Sequence, residues 1–171
     1  MTTPSPHDST HAVIELMASR GLTIAVAESL TGGLLVAELI RIPGASRVVR
    51  GGVVAYATDL KNSLLGVDDD LLATRGPVDS DVARLMAEGV RQRLGLGTEA
   101  ASWGLSTTGV AGPGPQDGHP AGTVFIGLAA DGRMSSHRLH LRGDRDSVRS
   151  QTVAAAVQLL LEAITGEGGR R

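Results

Sequence analysis

The alternation of apolar and polar positions along the chain predicts an α/β domain. Short apolar runs, as over 22–26 and 122–129, are typical of buried strands. Apolar residues that recur every three or four positions, as over 11–20 and 82–94, are typical of helices that bury one face. Glycine, proline and cap residues separate these segments. Taken in order, the pattern predicts the elements α-β-α-β-α-α-β-β-β-α.

The predicted elements are bounded by turn and cap signals. Strands are predicted over 22–26, 48–57, 102–108, 122–129 and 135–141, and helices over 11–20, 34–40, 59–65, 82–94 and 144–164, with another helical turn over 68–72. The helix over 82–94 follows an N-cap cluster at 78–81. Helices between the early strands favour parallel crossover connections, and a turn at Asp131 and Gly132 joins the last two strands as a hairpin. We therefore expect a mostly parallel sheet with an antiparallel hairpin at one side.

A chain of 171 residues is large enough to fold as one domain with a full hydrophobic core. Hydrophobic residues make up 42% of it and charged residues 20%, which favours a globular protein over a disordered one. We expect the domain to cover residues 9–166, with flexible tails over 1–8 and 167–171.

Composition argues against several classes of function. The net charge of −2 disfavours a nucleic-acid binder that relies on a basic surface. The absence of cysteine excludes disulfides and thiolate chemistry, and no apolar run approaches the ~20 residues that span a membrane. No metal-ligand spacing, Walker loop or signal-peptide pattern is present. We expect a cytoplasmic protein without metal or cofactor, and a homo-oligomer is left open.

The stretch 27–33, Ala-Glu-Ser-Leu-Thr-Gly-Gly, joins the first predicted strand to the second predicted helix. Ligands bind at this edge of open α/β sheets, where helices begin with unpaired N–H groups. Ser29 is therefore a candidate nucleophile, and the N–H groups of Gly32 and Gly33 are candidate donors to an oxyanion. The alternative is that Ser29 or Thr31 only caps the helix, which is the commoner role of Ser and Thr there.

A serine nucleophile needs a base, and Lys61 is a better candidate than any histidine. None of the five histidines is placed as an obvious partner. Lys61 is the only lysine and Tyr56 the only tyrosine, and both follow the second predicted strand. Arginine cannot accept a proton because it stays charged, so a retained lysine suggests proton transfer. The alternative is compositional, since a genome that favours arginine codons leaves few lysines.

Further candidates lie at the end of the third predicted strand. Thr107, Thr108 and Gly109 could line the same edge of the sheet, although they also suit an ordinary strand followed by a turn. Gly112 begins a Gly-Pro-Gly-Pro segment in a long loop, and loops of this length inside a domain are often functional. This segment could form a rigid wall of a pocket or be a plain solvent loop.

Charged residues near two element ends also allow two interpretations each. Arg145 begins the last predicted helix, with Arg142 and Arg149 nearby. Arginine beside a helix N-terminus suits a phosphate, but a solvated surface is the commoner environment. Glu28, beside the candidate serine, could orient Lys61 or cap the helix.

Several of these motifs together resemble the CinA C-terminal domain family. In chain order they are Ala-Glu-Ser-Leu-Thr-Gly-Gly at 27–33, Ile-Pro-Gly-Ala-Ser at 42–46, Gly-Gly-Val-Val-Ala-Tyr at 51–56, Lys61, Gly-Pro-Val at 76–78, Thr-Gly-Val-Ala-Gly-Pro at 108–113 and Gly-Asp-Arg at 143–145. The resemblance covers nearly the whole chain. It implies a three-layer α/β/α sandwich and a nicotinamide-nucleotide amidohydrolase of the PncC type, which deamidates nicotinamide mononucleotide to nicotinate mononucleotide and ammonia without a metal.

The same resemblance implies a role for individual residues. It implies Ser29 as the nucleophile, with Lys61 and Tyr56 in activation and proton transfer. It implies substrate contacts for Thr31, Gly32, Gly33, Thr108 and Gly109, and a phosphate contact for Arg145. The expected partner is a nucleotide substrate, with no nucleic acid and no membrane. The alternative is a non-catalytic nucleotide-binding or interaction module linked to competence or the DNA-damage response.

Overall fold

The computed structural model describes residues 6–166 and has the predicted α/β fold. Its helices are α1 (Pro6–Ser19), α2 (Leu34–Ile40), α3 (Thr58–Leu65), α4 (Asp69–Arg75), α5 (Ser80–Arg93) and α6 (Arg145–Thr165), with a 3-10 turn at Ala45–Arg47. Its strands are β1 (Ile24–Glu28), β2 (Val49–Val54), β3 (Trp103–Gly109), β4 (Thr123–Ala130) and β5 (Arg133–His140). No helix among these residues is long and apolar enough to cross a membrane.

The five strands form one mixed sheet in the order β2-β1-β3-β4-β5. β1 pairs in parallel with β2 and β3, with Ala27 opposite Val53 on one side and Ser106 on the other. β4 pairs in the antiparallel direction with both β3 and β5. The antiparallel part is therefore larger than the predicted hairpin, because a loop without a crossover helix joins β3 to β4.

Alternate side chains of β1 divide the core into two layers of helices. Ile24 and Val26 pack in the cluster that contains residues of α1, α2 and α6. Ala25 and Ala27 pack in the cluster that contains residues of α3, α4 and α5. Successive strand residues point to opposite faces of a sheet, so both faces of β1 are covered. The result is a three-layer sandwich with aliphatic layers on both sides of the sheet.

Several predicted bounds differ from the structure by a few residues, and two of these differences change the description of the fold. The first helix begins at Pro6 rather than at His11, so residues 6–8 are helical although they were expected in the tail. The turn predicted over 68–72 is a helix of its own, α4, which gives three helices between β2 and β3 instead of two. The rest of the predicted tails, 1–5 and 167–171, lies outside the described residues.

Helix α5 approaches α3 closely at Gly89. A Cβ atom at this position would lie 1.9 Å from the carbonyl oxygen of Leu65, the last residue of α3. No side chain fits at such a distance, so only glycine permits this approach of the two backbones. Lys61 lies one turn earlier on α3, and the contact therefore helps to set how deeply α3 holds Lys61 against the sheet.

We expect the substitution Gly89→Ala to lower the free energy of unfolding by about 1–3 kcal/mol, because the added methyl group overpacks the α3–α5 contact. The usual effect of alanine in a helix has the opposite sign, at about 1 kcal/mol relative to glycine. Urea denaturation measures the difference. Gly114→Ala is a matched control, since its Cβ would meet nothing within 4 Å. A Gly89→Ala protein as stable as the wild type would contradict the close contact.

Candidate active site

Ser29 is the first residue after β1, and backbone contacts hold it in place. Its N–H donates to the carbonyl oxygen of Thr107 on β3 at 2.9 Å, which continues the strand pairing by one residue. Its own carbonyl oxygen accepts a hydrogen bond from the N–H of Gly32 at 3.1 Å. The residue is only 8% exposed and lines a cavity. The candidate nucleophile therefore lies at the edge of the sheet that the sequence predicts.

Glu28, the last residue of β1, caps helix α2. Its carboxylate accepts hydrogen bonds from the N–H groups of Gly33 and Leu35, both at 3.0 Å, and of Val36 at 2.8 Å. The side chain is completely buried. A carboxylate at a helix N-terminus satisfies unpaired N–H groups and interacts favourably with the helix dipole. Of the two roles open to Glu28, capping is the one observed.

The N–H groups of Gly32 and Gly33 are both occupied. Gly33 donates to Glu28, and Gly32 donates to the carbonyl oxygen of Ser29. Neither glycine lines the cavity, so this structure does not place their N–H groups where an oxyanion or the substrate would bind. Both have positive φ angles, of 58° and 98°, which turn the chain from the strand into the helix. The N-cap residue of α2 is Gly33, so neither Ser29 nor Thr31 is the residue that caps this helix.

Lys61 reaches Ser29 from helix α3. Its Nζ atom lies 3.2 Å from Oγ of Ser29, 2.9 Å from the carbonyl oxygen of Ala55 and 3.5 Å from that of Tyr56. The side chain is 1% exposed. Among residues 6–166, no carboxylate forms an ion pair with it. The buried amine is therefore surrounded by neutral oxygen atoms.

This environment makes the neutral form of Lys61 more accessible than it is for a lysine in water. Burial lowers the pKa of the ammonium group to about 8, and the Asp59 carboxylate opposes part of the shift by favouring the charged form. A neutral amine has two N–H bonds and one lone pair. The carbonyl groups of Ala55 and Tyr56 can accept both N–H bonds, which leaves the lone pair directed at the hydroxyl of Ser29. At pH 7, about a tenth of the molecules carry Lys61 in this form.

The phenol of Tyr56 lies at the rim of the cavity and not beside Ser29. Tyr56 is 61% exposed, and its hydroxyl accepts a hydrogen bond from Nη2 of Arg145 at 3.1 Å. Nη1 of Arg145 donates to the carbonyl oxygen of Gly112 at 2.9 Å. These contacts join the segment after β2, the loop after β3 and the start of α6. Of the predicted pair, only Lys61 contacts Ser29 with its side chain.

The cavity beside Ser29 has a volume of about 280 Å³. Besides Ser29, Tyr56, Lys61 and Arg145, it is lined by Leu30, Thr58, Pro77, Val78, 108–112 and 114–116, which include the predicted Thr108, Gly109 and Gly112. Its lining contains basic side chains and no carboxylate among the described residues, which favours an anionic ligand. No group of three or more potential metal ligands occurs in residues 6–166.

Thr31 and Thr107 do not line the cavity, although the sequence suggested that they would. Their hydroxyl groups form a hydrogen bond of 2.7 Å with each other, and both residues are completely buried. Thr107 points to the opposite face of the sheet from Thr108, because successive strand residues alternate. The pair joins the turn after β1 to strand β3, which is a structural role.

Arg149 also has a position that the sequence did not predict. The sequence groups it with Arg145 as a candidate phosphate ligand. In the structure its Nε and Nη2 atoms donate to the carbonyl oxygens of Leu30 and Thr31 at 3.0 and 3.2 Å. These contacts turn the guanidinium towards the segment that follows Ser29.

The cavity wall also contains residues that were not site candidates, among them Thr58, Pro77 and Val78. Thr58 begins α3, and Pro77 and Val78 precede α5. The hydroxyl of Thr108 donates to the carbonyl oxygen of Pro77 at 2.6 Å, which ties this segment to the end of β3. The available signal was the Gly76–Pro77 break just before the helix cap, since it marks a turn at the same edge of the sheet.

Comparison with known proteins identifies relatives over most of this chain. Residues 7–164 match the model of the CinA C-terminal domain. The chain is 49% identical over 154 residues to a CinA-like protein of Frankia casuarinae, covering 90% of this chain and 34% of that protein. It is 49% identical over 152 residues to a CinA-like protein of Gloeobacter violaceus, covering 87% and 34% respectively. The chain thus spans about a third of the length of these curated relatives.

Solved structures of similar sequence share the fold. A competence-damaged protein (CinA) superfamily protein from Klebsiella pneumoniae has a TM-score of 0.89 at 30% identity, and the match covers 95% of this chain and 99% of that one. A competence/damage inducible protein from Agrobacterium tumefaciens has a TM-score of 0.86 at 32% identity, with coverage of 96% and 99%. The similarity therefore extends over the whole domain and is not confined to short motifs.

We expect Glu28→Gln to lower the free energy of unfolding by about 1.5–3 kcal/mol. A carboxamide has an NH2 group in place of one of the two carboxylate oxygens, and this donor would face backbone N–H donors. The remaining hydrogen bonds also lose the negative charge that strengthens them, in a buried position. Urea denaturation measures the change. Glu99→Gln is the matched control, because Glu99 is exposed and its substitution should alter stability by less than about 0.5 kcal/mol. Equal stability of the two variants would contradict the capping role of Glu28.

Proposed function

The chain belongs to the CinA C-terminal domain family, and we propose that it hydrolyses the carboxamide of nicotinamide mononucleotide, with Ser29 as nucleophile and Lys61 as base. The observation that carries the proposal is the buried contact of 3.2 Å between Nζ of Lys61 and Oγ of Ser29. A structural lysine would be expected to pair with a carboxylate or to reach solvent, and Lys61 does neither. The choice of substrate rests on the family resemblance and on the basic lining of the cavity.

In the first half of the reaction, Oγ of Ser29 attacks the carboxamide carbon. The hydroxyl proton moves to the neutral Nζ of Lys61, and a tetrahedral intermediate with a negatively charged oxygen forms. The C–N bond then breaks as the Lys61 ammonium gives that proton to the leaving nitrogen. Ammonia departs, and the nicotinoyl group remains bound to Ser29 as an ester.

In the second half, water replaces ammonia. Lys61 accepts a proton from the water as its oxygen attacks the ester carbon, and it returns a proton to Oγ of Ser29 when the ester bond breaks. Nicotinate mononucleotide leaves. Arg145 at the cavity rim is the ligand for the substrate phosphate, because a guanidinium binds phosphate through paired N–H donors.

We expect Ser29→Ala to lower the rate of ammonia release from nicotinamide mononucleotide by at least about a thousandfold, since the nucleophile is removed. Substrate binding should survive, because the basic rim is unchanged. Enzyme-coupled ammonia detection and titration calorimetry measure the two effects. Ser63→Ala is the matched control, because it deletes an exposed hydroxyl on α3 outside the cavity.

Two outcomes of this experiment would contradict the proposal in different ways. A Ser29→Ala protein that still releases ammonia would rule out the covalent route. A wild-type protein that binds the nucleotide and releases no ammonia would instead favour a non-catalytic binding module. A panel of other pyridine nucleotides then separates a different amide substrate from the absence of catalysis.

We also expect kcat/KM to rise about tenfold per pH unit up to about pH 8 and to level off above it. Only neutral Lys61 accepts the serine proton, and its pKa is lowered to about 8, so the active fraction is small at low pH and grows as pH rises. Lys61→Arg should lose at least about a hundredfold in kcat, because arginine keeps its proton. A wild-type profile that is flat between pH 6 and about 8 would contradict Lys61 as the base.

A further inference from the structure

The guanidinium of Arg149 holds two successive peptide groups next to the nucleophile. Nε donates to the carbonyl oxygen of Leu30, and Nη2 donates to that of Thr31. The N–H donors of a guanidinium lie in one plane in a fixed fork, so the two contacts set the orientation of both peptides. The third contact of Arg149, 3.4 Å from Nη1 to the carboxylate of Asp146, involves a side chain that is 88% exposed.

The peptide group between Thr31 and Gly32 links Arg149 to the carbonyl group of Ser29. It is trans, so its C=O and N–H point in opposite directions. The carbonyl faces Arg149, and the N–H of Gly32 donates to the carbonyl oxygen of Ser29. The peptide group between Ser29 and Leu30 obeys the same rule. Because the carbonyl of Ser29 faces Gly32, the N–H of Leu30 points the other way.

The N–H group of Leu30 has no hydrogen-bond partner among residues 6–166. Leu30 lines the cavity, while its side chain packs in the core cluster between α1, α2 and α6, so its backbone is the part that faces the cavity. Leu30 is only 4% exposed, and unpaired N–H groups in such buried positions are rare. In α/β-hydrolases, where the nucleophilic serine also lies on a strand-to-helix turn, the N–H of the residue after the nucleophile forms part of the oxyanion hole.

We propose that the N–H of Leu30 stabilises the oxyanion formed when Ser29 attacks, and that Arg149 is the positioning residue that orients and polarises this N–H. The inference rests on the proposed function in that it takes Ser29 as the nucleophile. Hydrogen bonds in a chain polarise one another, so the positive charge of Arg149 strengthens the donor at the far end, on Leu30. Leu30 thus supplies the oxyanion donor that Gly32 and Gly33 do not, because their N–H groups already have partners.

The test compares Arg149→Gln, Arg149→Lys and the control Asp146→Asn. We expect Arg149→Gln to lower kcat for nicotinamide mononucleotide by about 10–100-fold, less than the loss of a whole oxyanion donor, with KM within about threefold. Arg149→Lys should restore part of kcat, because it restores a cation near the carbonyl groups. Asp146→Asn should match the wild type, because it leaves both carbonyl contacts in place. The pH profile of Arg149→Gln should keep its midpoint near 8, since Lys61 is untouched.

A second measurement uses the rate at which a fluorophosphonate labels Ser29, since this reaction also builds negative charge on an oxygen. If the wild type deamidates the nucleotide and Arg149→Gln keeps its kcat, the inference is overturned and the proposed function stands. If the wild type releases no ammonia but is labelled, slower labelling of Arg149→Gln by about tenfold or more supports the inference alone, and equal labelling overturns it. A wild type that shows neither reaction overturns both.

Discussion

The carboxylate of Glu28 is the interaction on which the arrangement of the candidate site depends. It ends β1, is buried, and holds three N–H groups at the start of α2. Burying a carboxylate is costly unless hydrogen bonds replace its water, and here the helix N-terminus supplies them. Ser29 lies between the strand and this cap, and its N–H is paired with Thr107. The pairing with β3 and the capped start of α2 therefore both fix the position of Ser29.

Lys61 is also a buried ionisable group, and its environment differs from that of Glu28. Carbonyl oxygens surround its amine, and no carboxylate in the described part of the chain forms an ion pair with it. Burial therefore lowers the pKa of Lys61, and the Asp59 carboxylate opposes only part of this shift. The two groups lie in different layers. Glu28 points to the face of the sheet covered by α2, and Lys61 comes from α3 on the other face. Ser29 meets Lys61 where β1 ends, so one group rigidifies the turn and the other is suited to proton transfer.

Much of the fold could be predicted because its signals are local. The period of the apolar residues and the cap residues indicate the five strands and most helices. The antiparallel pairing of β3 with β4 could not be predicted, since it depends on where the long loop over 110–122 leads the chain. The early start of α1 was missed as well, because the polar residues before His11 carry no apolar period of their own.

The sequence by itself determined which residue types lie at the ends of the strands, and this was enough to select Ser29, Lys61, Thr108 and Arg145 as site candidates. Only the tertiary structure decided which of the candidates meet. It turns Thr31 and Thr107 towards each other, leaves the Tyr56 phenol at the rim and occupies the N–H groups of Gly32 and Gly33. The physical reason is that residue type and period are local properties. The face a side chain takes and the partner of an N–H group depend on contacts between distant parts of the chain, as between Ser29 and Lys61 or between Thr31 and Arg149.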